Sequence, residues 1–379
     1  MKVLHTIGEM GTGGAESLVV ELVRGGDSVG WHSAVASAGG WREQELSDLP
    51  GVSLYQVPLS RRRPTGLLRA VQATRRAIRA DDPDVVVAHN VGVTVATWLA
   101  LRTLRHRAPL VTVFHGVAAT DYRAAARVLN RCPDAVVTVS STILDRLRTA
   151  GLRPRRTEVI RNAVTAPPLS SREQARQELG LDPGTPIALC AARMVDQKRH
   201  DILLQAWAAV TTPALLLLAG DGPNREAVHR QVAELGLGGR VQLLGVRDDV
   251  PRLLAASDLS TLASDWEGLP VAVLESMAAG RPVVATAVDG VAEAVGHGGG
   301  VLVPPGDPVA LAGALDSLLG DLDRCHDEGA AAQRVIADFY DPRHLMAGYD
   351  QLLRSLLSAT RTSGAPAEPA WQDDETRTA

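Results

Sequence analysis

Short continuous runs of Val, Leu, Ala and Ile, each followed by a helical stretch, recur along this 379-residue chain. Examples are Val85–Ala88, Leu110–Phe114, Ala135–Val139, Leu215–Leu218, Val283–Ala285 and Val301–Val303. A strand that is apolar at every position, not at alternate ones, has both faces covered. That is the condition of a parallel sheet flanked by helices, so the chain reads as α/β. Its length exceeds what one hydrophobic core usually organises, and two domains are expected.

Glu267-Gly268-Leu269-Pro270-Val271-Ala272-Val273-Leu274-Glu275 lies where a short strand hands over to a helix. Pro270 suits the first helical position, the residues from Ala272 to Ala279 are good helix formers, and Gly280 with Pro282 beyond is a stop signal. The helix then begins beside Glu267. Its unpaired first-turn N–H groups and positive dipole end favour an anion such as a diphosphate. Glu275 falls about 8 Å further along the axis at 1.5 Å per residue. One carboxylate can face a sugar at the helix mouth while the other accepts hydrogen bonds from a ribose deeper in the cleft. On spacing alone, a pair of solvated helix acids is the alternative.

The N-terminal half carries two further signals. Lys2–Ile7 is a short apolar strand, and Gly11-Thr12-Gly13-Gly14-Ala15-Glu16 is a glycine-rich bend opening a helix. Glycine lets backbone approach a ligand closely, and a following helix N-terminus favours negative charge. A dinucleotide fingerprint needs G-x-G-x-x-G, and Glu16 occupies the third glycine position, which argues against a nicotinamide site. The strand Leu110–Phe114 ends in His115-Gly116, and a polar residue there lies at the ligand edge of an open α/β sheet. Asn90 and Ser140 follow strands at the same edge.

Together these segments resemble glycosyltransferase family 4 (GT4), whose members are retaining enzymes with the GT-B fold. The resemblance runs from Met1 to about Leu357. Glu267 to Glu275 is similar to the family's E-x7-E motif and Gly13-Gly14-Ala15-Glu16 to its G-G-A-E loop. Ala191 to Arg199 resembles the G-R-L-x-x-x-K-x segment, with Arg193 and Lys198 matched and Ala192 in place of the usual Gly. Ala219-Gly220-Asp221-Gly222-Pro223 is similar to the G-x-G-P turn. Val159 to Val164 resembles the closing "PNGVD" strand, with Ala163 for Gly and Thr165 for Asp.

The resemblance implies two Rossmann-like domains facing a central cleft. Residues 1–165 form the acceptor-side domain and 166–340 the nucleotide-sugar domain. A helix over 341–358 returns to the first domain, and 359–379 are a polar tail expected to be disordered. It further implies a metal-independent hexosyltransferase (EC 2.4) that moves a sugar from a nucleoside diphosphate, UDP or GDP, to a hydroxyl. The acceptor is a glycan, a lipid-linked molecule or a small molecule. Arg193 and Lys198 would hold the diphosphate, helped by the amides near Gly268 and Leu269, and Glu275 the ribose. Glu267 would hold the donor sugar, with His115 and the Gly13-Gly14 loop completing the cleft. The family's retention is described as same-face attack with the departing phosphate taking the acceptor proton, so no covalent nucleophile and no cofactor are assigned. A sugar-nucleotide epimerase or hydrolase and a non-catalytic nucleotide-binding subunit are the alternatives, because a fold does not fix chemistry.

Residues 1–165 contain 22 Lys and Arg against 14 Asp and Glu; the remainder contains 17 against 29. Part of the basic excess is Arg61, Arg62, Arg63, Arg69, Arg75, Arg76 and Arg79, around an expected helix whose Leu67, Leu68, Val71 and Ile78 form an apolar stripe. Such a helix fits peripheral contact with anionic lipid at the inner face of a membrane, and an ordinary solvated arginine face is the alternative. The run lacks aromatic residues for base stacking, so nucleic acid is not expected. The start lacks a signal-peptide pattern and no apolar stretch reaches the roughly 20 residues of a spanning helix, so a cytoplasmic protein is expected. Cys132, Cys190 and Cys325 are too few and scattered for a disulfide framework or a zinc site. Asp82-Pro83-Asp84 spells D-x-D, but it precedes the Val85–Ala88 strand at its amino end and reads as a turn, leaving no metal site.

Overall fold

The computed structural model describes residues 1–58, 64–105, 107–153 and 156–363. Seven strands form the first sheet: β1 (Lys2–Thr6), β2 (His32–Ser37), β3 (Ser53–Gln56), β4 (Val85–His89), β5 (Leu110–Phe114), β6 (Ala135–Thr138) and β7 (Arg156–Val159). The second holds β8 (Ile187–Ala191), β9 (Leu215–Ala219), β10 (Val241–Gly245), β11 (Leu259–Leu262), β12 (Val283–Thr286) and β13 (Gly300–Val303). Their orders are β3-β2-β1-β4-β5-β6-β7 and β10-β9-β8-β11-β12-β13, with neighbours paired in parallel. Every residue of β4, β5 and β11 is buried, as the continuous apolar runs require. Strand order reverses between β1 and β4 and again between β8 and β11. Ligands of open α/β sheets bind at the carboxyl ends beside such reversals. The two sheets are Rossmann-like, and together they have the GT-B architecture.

A buried guanidinium ties the second sheet to its entry segment. Arg176 donates to the carbonyls of Ala256, Asp182, Pro183 and Thr185 and to Asp258 Oδ2 at 2.8 Å, and Asp258 also accepts from the Ile187 amide at 2.7 Å. The starts of β8 and β11 are thereby fixed relative to each other, which sets where the loops at their other ends emerge.

The last helix, Pro342–Ser363, packs on the first domain against helix Gly14–Gly26. Trp31 Nε1 donates to Asp350 Oδ1 at 2.9 Å and Arg354 to the Val29 carbonyl at 2.9 Å. The helix runs past the expected end at 358. Beyond 358 no Gly or Pro interrupts it before Gly364, and an established helix extends until something stops it. Residues 359–363 are thus helical, while the rest of the expected tail, 364–379, lies outside the described residues.

The basic helix also departs from expectation. It spans Pro64–Asp81, but its buried face is Gly66, Ala70, Thr74, Ala77 and Ile78, spaced one helical turn apart. Leu67 and Leu68 stand outside that face and are 38% and 67% exposed, beside exposed Arg69, Arg76 and Arg79. Small residues sit where this helix crosses close to its neighbour Val91–Arg102, so the expected stripe is split, with Ile78 on the buried face and the leucines off it. Arg61, Arg62 and Arg63 lie outside the described residues. No described helix is long and apolar enough to cross a membrane.

Candidate active site

The loop after β11 carries Glu267 into the gap between the domains. Its side chain is buried, and Oε1 accepts from Lys198 Nζ at 2.5 Å and from Ser264 Oγ at 2.6 Å. The Glu267 amide donates to Asp289 Oδ2 at 3.0 Å, and Asp289 Oδ1 pairs with Arg146 of the first domain at 2.8 Å. Asp289 holds a left-handed backbone at φ +34°, strained for a residue with a side chain and retained here by these two contacts. Lys198 and Glu267, assigned to diphosphate and sugar respectively, are therefore already joined as a pair inside the cleft.

Helix Val271–Ala278 follows directly. Pro270 is its cap, at φ −72° and ψ 119°, and not its first helical residue. The extended backbone there turns the chain into the helix one residue later than expected. The amides of Gly268 and Leu269 donate to no acceptor among the described residues. Leu269 itself is buried, and its carbonyl accepts from Asn162 Nδ2 of the first domain at 2.9 Å.

Arg193 is exposed after β8 and makes no ion pair among the described residues. Its backbone is gripped by the Gly220-Asp221-Gly222 turn. A Cβ on Gly220 would lie 2.0 Å from the Ala192 carbonyl oxygen, and one on Gly222 2.4 Å from that of Met194. Both glycines have φ near +150°, so close approach and conformation together exclude other residues. Across the gap, burial raises the Glu16 carboxyl above its ordinary range against the pull of Arg193. Gly13 precedes helix Gly14–Gly26, and Gly14 lies beside Val271 of the opposite domain.

Glu275 lies in the second turn of its helix, and its carboxylate has no hydrogen-bond partner among the described residues. Burial pushes it up to about 7; Arg42 pulls it down and Glu21 adds to the rise. Both neighbours belong to the first domain. His115 is partly buried and its Nε2 lies 3.4 Å from His89 Nδ1. Its carbonyl oxygen abuts Gly268, where a Cβ would lie 2.0 Å away.

Pairwise contacts thus bring His115, Arg193, Lys198, Glu267, Gly268, Leu269, Glu275 and the Gly13-Gly14 bend to the facing surfaces of the two domains. Ser140 caps helix Ser141–Thr149, and its hydroxyl reaches the Gly268 carbonyl at 3.5 Å. Asn90 ends β4 at φ +79° with an exposed side chain. Asp84 lies at the opposite edge, where its carboxylate accepts from the Lys2 amide at 2.8 Å. Sequence reasoning missed Ser264, Asp289 and Arg42. Asp289-Gly290, three residues past the buried strand Val283–Thr286, was the available signal, since Asp-Gly marks a sharp change of chain direction at the ligand edge.

Two family models match the chain. One, described as Glycosyltransferase Family 4, covers residues 12–166, and one described as Glycosyl transferases group 1 covers 171–335. The crystal structure of Anabaena Alr3699/HepE in complex with UDP and glucose is similar at a TM-score of 0.82 and 26% identity, covering 94% of this chain and 100% of that one. N-acetyl-alpha-D-glucosaminyl L-malate synthase of Bacillus anthracis is 26% identical over 316 residues, 80% of this chain and 82% of its own. LpsE of Rhizobium meliloti (strain 1021), a lipopolysaccharide core biosynthesis glycosyltransferase, is 30% identical over 220 residues, 55% and 64% of the two chains. Fold and cleft define a GT-B enzyme that uses a nucleotide sugar. The chain belongs to glycosyltransferase family 4 and is a hexosyltransferase of class EC 2.4.

The raised Glu275 has a consequence for stability. Its folded-state value of about 7 exceeds the ordinary value of 4.5, so the folded protein keeps this proton where the unfolded chain has lost it. Stability contributed by the protonated form is full at pH below the unfolded value and is lost as pH rises through about 7. Glu275→Gln is expected to be more stable than the native protein at alkaline pH, by about 3 kcal/mol, and equal to it near pH 4. Urea unfolding at the two pH values checks this, and an equal difference at both contradicts it.

Proposed function

We propose that the cleft transfers a hexosyl group from UDP-sugar to an acceptor hydroxyl, with retention of configuration and without a metal ion. The observation that carries this reading is Lys198 held on Glu267 beside the free amides of Gly268 and Leu269 at the mouth of helix Val271–Ala278, with Arg193 just past the end of β8, the strand next to β11. Charge develops on the leaving diphosphate as the glycosidic bond breaks. Donors fixed in place before that moment stabilise it without reorganisation. Two cations and a helix terminus supply the positive charge that a divalent ion supplies elsewhere. UDP is favoured as the donor nucleotide because HepE was crystallised with UDP and glucose; GDP is the second choice.

In this reading Glu275 accepts hydrogen bonds from the ribose. Glu267 holds hydroxyls of the sugar and supports the oxocarbenium-like centre, with His115 and the Gly13-Gly14 bend closing over it. The departing phosphate takes the acceptor proton as the hydroxyl attacks on the same face. Lys198 is shared between Glu267 and the diphosphate, so the pair pre-positions a cation that would otherwise be mobile. Product analysis with and without acceptor distinguishes transfer from hydrolysis or epimerisation of the same donor.

Turnover is expected to survive excess EDTA. Complete loss, rescued by manganese, contradicts the metal-free reading.

The two glutamates should separate. Above pH 7, where its carboxyl is ionised, Glu275→Gln weakens an ion-assisted bond to the ribose, on the order of 1.5 to 3 kcal/mol, and lowers affinity for bare UDP by about tenfold or more. Glu267→Gln lowers turnover yet releases Lys198 from its carboxylate, so bare UDP should bind roughly threefold tighter. Titration calorimetry with UDP reads both, and equal weakening by the two changes contradicts these roles.

We also propose that the acceptor is lipid-linked and that the first domain meets anionic lipid at the inner face of the membrane through the segment from Arg61 to Arg79. The exposed Leu67 and Leu68 beside Arg69, Arg76 and Arg79 support this. Each such cation contributes roughly 1 kcal/mol near a negative surface, and salt screens it. Cosedimentation with phosphatidylglycerol vesicles at low salt should be lost when Arg69, Arg75, Arg76 and Arg79 are changed to Gln. Equal binding by both proteins, or none by either, contradicts the contact and favours a water-soluble acceptor.

A further inference from the structure

Three histidines from adjacent strands form a continuous chain leading into the cleft. His5 on β1 and His89 at the end of β4 are fully buried, and His115 follows β5. His5 Nδ1 lies 3.4 Å from His89 Nε2, and His89 Nδ1 lies 3.4 Å from His115 Nε2. The successive ring centroids are 5.7 Å apart in both pairs. At the inner end, His5 Nε2 is buried with no hydrogen-bond partner among the described residues. His115 Nδ1 likewise has no protein partner among them.

A neutral imidazole has one N–H and one lone pair, so a chain of three admits only two directions. In one, each ring donates inward and His5 is left with a buried, orphaned N–H. In the other, each ring donates outward and His5 is left with a bare lone pair. Orphaned buried N–H groups are rarer than under-used acceptors, which favours the second direction. Burial keeps the rings neutral: His5 and His115 are lowered to about 4 and His89 well below its ordinary value.

We infer that His5 and His89 are positioning residues that hold His115 in the Nδ1–H tautomer, so that this N–H donates to an oxygen of the bound sugar nucleotide. His5 Nδ1–H donates to His89 Nε2, and His89 Nδ1–H donates to His115 Nε2. The remaining proton of the chain is then presented to the cleft. The inference rests on the proposed function only for what receives the hydrogen bond.

Long-range nitrogen–proton correlation spectra of the 15N-labelled full chain, recorded near neutral pH, identify the protonated nitrogen of each histidine. Protonation at Nδ1 of His5, His89 and His115 is expected, and an Nε2–H on His115 overturns the inference. This readout needs no ligand. Addition of UDP-glucose should then shift the His115 signal; with the tautomer as stated and no shift, the proposed donor fails while the tautomer assignment stands. Variants give a second test. Asn at position 89 puts an amide nitrogen close to where Nδ1 was, whereas Gln puts it close to Nε2. With UDP release from UDP-glucose as the assay, His89→Gln should lower kcat roughly tenfold with little change in KM, and His89→Asn should recover most of that loss. Equal losses in two folded variants overturn the direction of the chain.

Discussion

The cleft depends on one close approach of backbone to backbone. Gly268 lies so near the His115 carbonyl that a Cβ would be 2.0 Å from its oxygen. Around that point the Ser140 hydroxyl reaches the Gly268 carbonyl, Asn162 holds the Leu269 carbonyl, and the Gly290 amide donates to the Gly268 carbonyl at 3.0 Å. The turn that starts the E-x7-E segment is thus fixed from both domains before any ligand binds. Free amides at Gly268 and Leu269 are what such a fixed turn can offer an anion, because fixed dipoles need no rearrangement. Further out, Glu293 accepts from Arg161 Nε at 2.6 Å and from Ser141 at 2.8 Å, and Arg146 pairs with Asp289. These bridges join the same two surfaces on one side of the turn.

Opposing charge organises the other side. Glu16, Glu21 and Glu275 are all raised above the ordinary carboxylate range, chiefly by burial, with Arg42 close enough to pull each of them down. The cleft therefore holds acids whose ionised forms are incompletely compensated, beside Arg193, which makes no ion pair among the described residues. In the proposed reading a ligand carrying phosphate charge and ribose hydroxyls would satisfy both at once, its anion meeting Arg193 and its hydroxyls donating to Glu275.

Much of this was legible in the chain, and the reasons differ by residue. Continuous apolar runs gave the parallel sheets, because burial on both faces leaves no alternation to hide the signal. Arg193, Lys198, Glu267 and Glu275 stand in motifs whose spacing is local, so one strand-to-helix turn carries each. Ser264, Asp289 and Arg42 were not legible in the same way. Asp289 is 22 residues from the Glu267 amide it accepts, and Arg146 reaches it from the other domain. No local pattern encodes a contact that two sheets create by facing each other. In helix Pro64–Asp81 the expected apolar stripe is split for a related reason: close helix packing leaves Leu67 and Leu68 exposed and buries Ile78 with Gly66, Ala70 and Ala77, small residues that a search for large apolar ones passes over.

The histidine chain is the same limitation seen from inside one domain. His5, His89 and His115 are separated by 84 and 26 residues; His115 alone is marked by its place after a strand at the ligand edge, whereas His5 and His89 each read as an ordinary strand residue. Their adjacency follows from the order β1-β4-β5, which is the point where the first sheet reverses direction. A reversal separates the crossover helices onto opposite faces and opens the crevice in which a ligand sits. The same reversal sets strands from distant parts of the sequence side by side, so side chains on them can form one polar row leading to that crevice. In a buried row of imidazoles the direction of every hydrogen bond is linked to the next, and the state of the outermost ring is decided at the innermost one.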